Sequence, residues 1–133
     1  MSSIAQFIEF GLTGLEQGAF DCLGIAGLTL LKLYEQDVAT DIIELFTGTN
    51  EGNLLTSHCF VVVGRAPSTN PNEPLTWNDQ AIILDPWYGV VAAIYTIKGD
   101  SDFFKRYPLL LTDNREAVRV HWPLGISKYM DRF

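Results

Sequence analysis

Three residues of this chain have the types and the surroundings to build a thiol nucleophile: Cys22, His58 and Asp85. The reactive form of a cysteine is the thiolate, and a helix N-terminus together with an imidazolium stabilises it. Cys22 directly follows Asp21, a natural N-cap, and opens a long apolar segment. His58 stands at the head of the β-branched run Phe60-Val61-Val62-Val63, which Gly64 closes. Asp85 ends the next such run, Ala81-Ile82-Ile83-Leu84. If these two runs pair as antiparallel strands, the start of the first faces the end of the second, and His58 meets Asp85. Each residue alone has a commoner explanation: an inert buried cysteine, a turn histidine, a strand-ending Asp-Pro. Their joint placement points to acyl transfer, with Cys22 attacking a carbonyl carbon, His58 carrying the proton and Asp85 fixing the imidazole tautomer.

The elements that must hold these residues are legible in outline. Ile4, Phe7, Ile8, Leu12 and Leu15 recur at helical spacing, which predicts an amphipathic first helix weakened by Gly11 and Gly14. Residues 22–34 are apolar on nearly every face, which predicts a helix buried in the middle of the fold. Gly24, Ala26 and Gly27 leave room for close neighbours. Residues 40–47 favour a strand over a short helix. The segment 65–80 carries Pro67, Pro71 and Pro74 among Ser, Asn and Asp, and predicts a long surface loop. A third strand is expected over Val90–Thr96, a short helix capped by Ser101 and stopped by Pro108, and a last strand over Ala117–Trp122. Helices followed by an antiparallel meander make an α+β fold, in one domain over residues 1–133.

The other candidates are weighed against these. Strand residues alternate in direction, so Cys59 is expected to point away from wherever His58 points and to be structural. The two cysteines are enough for one bridge in an oxidising compartment, but their settings differ and each is taken separately. Convergence of Cys59 and His58 on one metal is disfavoured for the same geometric reason, and no metal or cofactor is expected. Trp87, two residues after Asp85, is a candidate either to shield the His58–Asp85 bond from water or to meet substrate. Trp77 either anchors the proline-bearing loop or contacts substrate. His121 receives no role.

Composition narrows the partners. A net charge of −7 argues against nucleic acid, whose phosphates demand a basic surface, and against anionic membrane. The segment around Leu23–Leu33 is interrupted by Gly24, Gly27, Thr29 and Lys32, so no membrane span is expected. The start Met-Ser-Ser-Ile-Ala-Gln lacks the basic and apolar regions of a classical secretory signal, so the expectation is a soluble product.

Three stretches carry a family resemblance. Gln17-Gly18-Ala19-Phe20-Asp21-Cys22 before a buried helix resembles the nucleophile region of papain-like enzymes, without the Gly-Cys-Trp context of papain itself. Ser57-His58-Cys59-Phe60-Val61-Val62-Val63-Gly64-Arg65 and Ile82-Ile83-Leu84-Asp85-Pro86-Trp87-Tyr88-Gly89 are similar to the histidine and aspartate strands of papain-like bacterial effector and toxin domains. The resemblance spans roughly residues 16–96. It implies a papain-like core, either standing alone or cut from a larger effector, whose cysteine helix packs on an antiparallel sheet. It implies an amide-bond hydrolase of the cysteine protease, glutamine deamidase or transglutaminase type. It further implies a protein substrate, such as a host protein, and delivery through a specialised secretion system. In such enzymes a glutamine before the cysteine donates to the oxyanion, and Gln17 occupies that place. The rival expectation is a catalytically inactive binding module that keeps the fold.

Overall fold

The computed structural model describes residues 8–9, 11–14, 22–38, 42–50, 53–111 and 116–120. The β-branched run at 60–63 lies where the hydrophobic pattern demands most burial, in the middle strand of a five-stranded sheet. The strands are β1 (Ile43–Asn50), β2 (Asn53–Val63), β3 (Ile82–Asp85), β4 (Val90–Ala93) and β5 (Glu116–Arg119). Their order is β4-β3-β2-β1-β5, with every neighbouring pair antiparallel. Strands β1 to β4 form the expected meander. β5 does not extend it but returns to the other edge, pairing Leu45 with Val118 and Phe46 with Ala117. That choice covers β1, whose Ile43, Glu44, Leu45 and Phe46 are all buried, from both sides. The fold is α+β.

Alternation along the strands sorts the apolar residues onto two faces. Cys59 and Val61 join Ile43, Leu45 and Val120 beneath the helix Cys22–Glu35, which contributes Ala26 and Leu30. Phe60 and Val62 join Phe46, Ile83, Trp77 and Ile94 on the opposite face. The helix is covered on a further side by Ile8 and Leu12, which pack with Leu31. Apolar residues all round therefore correspond to a helix wedged between the sheet and helical residues 8–9 and 11–14. Contact there is close: a Cβ on Gly11 would lie 2.3 Å from the Gly24 carbonyl oxygen and 2.7 Å from Leu28 Cγ. Gly11, which weakens the first helix locally, is what lets the two segments touch.

Several boundaries differ from the sequence expectation. β2 begins at Asn53, because its ladder with β1 continues down to Asn50↔Asn53, so His58 lies inside a strand rather than ahead of one. β4 ends at Ala93, and Ile94–Ile97 forms a helical turn whose Ile94 N–H is taken by the Ala81 carbonyl. The short helix Phe103–Arg106 is not capped by the Ser101 side chain; the Asp100 carboxylate accepts the Asp102 N–H and pairs with Arg106. The last strand is Glu116–Arg119, and His121 and Trp122 lie outside the described residues.

The proline-bearing loop is tied down by buried polar contacts. Arg65 Nε and Nη2 donate to the two Glu44 carboxylate oxygens at 3.0 and 2.8 Å, while Nη1 donates to the Thr69 carbonyl at 2.6 Å. A fully hydrogen-bonded guanidinium is one of the few ways to bury such a pair. Trp77 is buried and its indole N–H donates to the Asn70 carbonyl, so of its two candidate roles it fills that of loop anchor. Among the described residues no helix is long and apolar enough to cross a membrane.

Candidate active site

β3 is short, and that shapes the site. Its ladder with β2 covers only Val61↔Leu84, Val62↔Ile83 and Val63↔Ile82. Below Val61 the edge of β2 runs past the end of β3, and the final β3 residue, Asp85, is left one diagonal step from His58. Both side chains point to the same face, and His58 Nε2–H donates to Asp85 Oδ2 at 2.5 Å. The two side chains are 1% and 0% exposed, so no water competes for this bond. The antiparallel pairing anticipated from the two runs is thus present, displaced by a few residues along a longer β2.

Asp85 is itself held. Its Oδ1 accepts the Tyr88 backbone N–H at 3.3 Å, within a turn in which the Gly89 N–H reaches the Pro86 carbonyl. Gly89 adopts φ +72, a conformation open to glycine at little cost, and this fits the chain to turn into β4. Asp-Pro-Trp-Tyr-Gly thus orients a carboxylate as well as ending a strand.

His58 is covered by the Tyr88 and Phe60 rings, with centroids 5.5 and 5.9 Å from its own. Trp87 is 49% exposed. The shielding expected of Trp87 falls to Tyr88, because the turn directs the second aromatic inward and the first outward. Trp87 lies on the surface, in the turn that holds Asp85.

Cys22 is the first residue of the helix and is partly exposed. It packs against the buried group beneath the helix that includes Cys59, and the Cys59 thiol, the Cys59 backbone and the His58 ring all act on its ionisation. With Nε2 engaged by Asp85, Nδ1 is the ring atom left for the sulfur. The influence of Cys59 adds to the sequence expectation. Cys59 and His58 do face opposite sides of β2, but a backbone N–H of a strand points along its edge, between the faces. Below Val61, where β3 no longer pairs with β2, that edge lies open to a group that acts on both His58 and Cys59 among the described residues. Alternation predicts faces correctly and is silent about a group that meets the strand edge-on.

The electrostatics follow from these contacts. The Cys59 thiol is the largest influence on Cys22; burial opposes it, and the His58 bond, the Cys59 backbone and the His58 charge add to it. Together they bring the Cys22 thiol from 9.0 down to about 5. For His58, burial acts to lower the pKa, but the bonds and charges of Asp85 and Cys22 outweigh it and raise the ring to about 9. Over the interval between these values the pair exists as thiolate and imidazolium, with the negative charge also at the favourable end of a helix of fourteen residues.

Gln17, the candidate oxyanion donor, lies outside the described residues, as does Asp21. Among the described residues no three His, Cys, Asp or Glu side chains are grouped as a metal site. The residues missed by sequence reasoning are Tyr88, Phe60 and Cys59; for Tyr88 the available signal was the Asp-x-x-Tyr-Gly turn spacing. Compared with protein-family models, curated proteins and solved structures, the chain matches none.

Proposed function

We propose that this protein is a thiol-dependent acyl-transfer enzyme with a papain-like core, acting on amide bonds of a protein substrate through Cys22, His58 and Asp85. The observation that carries this is the continuous chain from a helix-start thiol to an imidazole to a buried, doubly hydrogen-bonded carboxylate. A structural histidine needs one partner; a ring held at Nε2 by a carboxylate, with Nδ1 turned to a thiol, is arranged to move a proton.

In this mechanism the Cys22 thiolate attacks the amide carbon and forms a C–S bond. The imidazolium of His58 then delivers its proton to the departing nitrogen, and an amine or ammonia leaves. Water, deprotonated by the now neutral His58, hydrolyses the thioester and restores the thiol. Asp85 accepts from Nε2–H throughout and keeps Nδ1 aimed at the sulfur. Main-chain cleavage, glutamine deamidation and cross-linking share these steps and differ in which amide enters. The resemblance to effector and toxin domains supports a protein rather than a small amide.

The test is iodoacetamide labelling followed by product analysis. Cys22 is expected to alkylate at neutral pH roughly 10–100-fold faster than an ordinary thiol, and His58→Ala to remove most of that advantage. Incubation with a peptide mixture, with Cys22→Ser as control, then separates new N-termini from ammonia release without cleavage. A Cys22 that alkylates no faster than a free thiol, with His58→Ala unchanged, overturns the catalytic proposal and leaves a binding module.

A further inference from the structure

The catalytic proposal leaves Cys59 unused, yet the structure sets its thiol against the nucleophile. Cys59 is buried on β2, held in register opposite Thr47, and faces the helix whose first residue is Cys22. For filling space under a helix an alanine or valine serves as well, with no redox liability. A partly exposed thiol packed against the buried group that holds a second thiol, and acted on by that thiol more than by any other neighbour, is a different chemical object from either alone.

We infer that Cys22 and Cys59 are a peroxide-responsive dithiol in which Cys59 captures oxidised Cys22 as an intrachain disulfide, holding the nucleophile in a reversible, inactive form. This rests on the proposal that Cys22 is a reactive thiolate.

The chemistry balances in two steps. The Cys22 thiolate attacks one oxygen of hydrogen peroxide, the O–O bond breaks, and the departing hydroxide takes the His58 proton and leaves as water. Cys22 is now a sulfenic acid, two electrons more oxidised. The Cys59 sulfur then attacks the Cys22 sulfur, forming the S–S bond and breaking S–O. The Cys59 proton goes to the leaving oxygen, giving a second water. Overall, two thiols and one peroxide become one disulfide and two waters, and an added dithiol reverses the change.

Geometry favours this route over further oxidation. Cys59 is fixed within a paired strand, while Cys22 begins the helix packed over it, so the helix start is the partner that moves to close the bond. The resolving thiol already lies in the group that Cys22 packs against, so capture competes with a second peroxide arriving from solvent. A sulfenic acid without such a neighbour proceeds to sulfinic acid, which is not recovered by thiols. Disulfide formation also ties the thiolate electron pair that attack on a carbonyl requires into the S–S bond.

The experiment uses the full chain, hydrogen peroxide as oxidant, and intact mass after blocking free thiols. Wild type is expected to lose two hydrogens, to take up no blocking group, and to recover both thiols with dithiothreitol. Cys59→Ala is expected to gain two or three oxygens instead and not to recover. Cys59→Val, closer in buried volume, gives the same comparison if the alanine variant does not fold, and the wild-type mass decides on its own. Wild type that gains oxygens without losing two hydrogens overturns the inference. Iodoacetamide labelling before peroxide separates the two failures. Fast, His58-dependent labelling without disulfide removes this inference alone; slow labelling removes the catalytic proposal beneath it.

Discussion

At the scale of single residues, the consequential property is the inverted order of two proton affinities. The Cys22 thiol is lowered to about 5 and the His58 ring is raised to about 9, so over that interval the proton sits on nitrogen rather than sulfur. Thiolate ultraviolet absorbance of Cys22 is expected to appear with a midpoint near 5, and Asp85→Asn to lower the pH at which the His58 ring signals titrate by nuclear magnetic resonance. The same shift makes a stability prediction whose sign is fixed by linkage. A depressed thiol contributes stability that is fully present above its unfolded value of 9.0 and lost as pH falls through about 5. In that window the unfolded chain binds a thiol proton that the folded chain does not. The stability of wild type over Cys22→Ser, from urea midpoints, is therefore expected to rise with pH between about 5 and 6.5, above which the raised His58 ring, held up in part by Cys22, offsets the thiol. A difference that stays level across this range excludes the ion pair.

At the scale of elements, the site is held by one short strand and one turn. β3 stops at Asp85, and the turn that follows supplies a backbone N–H to its carboxylate and a tyrosine ring to cover His58. Gly89→Ala tests that turn without a steric clash, since no atom lies within 4 Å of the added Cβ. The cost is conformational alone, about 1–2 kcal/mol, and Gly89→Asn is expected to cost less. Because the strain falls beside Asp85, alkylation of Cys22 in Gly89→Ala is expected to slow along with the fall in melting temperature. Gly11 behaves oppositely. Its Cβ would meet backbone at 2.3 Å, so Gly11→Ala forces residues 11–14 off the helix, at about 1–3 kcal/mol by denaturant titration. A Gly11→Ala protein of unchanged stability would contradict the close packing described.

At the scale of the whole molecule, a sheet clad on both faces carries the site at its middle strand. The face away from the helix is closed by the loop 65–80, whose attachment is the Glu44–Arg65 pair, with guanidinium carbon 5.7 Å from the Phe46 ring centroid and 5.9 Å from that of Trp77. Removing one partner of a buried pair strands the other charge, so Arg65→Met is expected to cost about 3–5 kcal/mol by denaturant titration. A cost below 1 kcal/mol in that measurement would mean that the loop is held by its apolar contacts, Trp77 chief among them.

Much of this was written locally. The apolar helix, the two β-branched runs and the Asp-Pro strand end follow from periodicity and side-chain shape, and antiparallel pairing of neighbouring runs is the short-range outcome, so Cys22, His58 and Asp85 were legible as a set. Three matters depended on the assembled fold. β5 chose the β1 edge because two partly covered strands needed each other, which no local pattern records. The ring over His58 belongs to Tyr88 rather than Trp87 because a turn's geometry, and not its order of residues, decides which aromatic points inward. Cys59 comes beside Cys22 because the helix that begins at Cys22 packs on the face of β2 that carries Cys59. Residue types and spacing determined which groups have the capacity for thiol chemistry; where strands end, and what sits at the edges they leave, decided which of those groups touch.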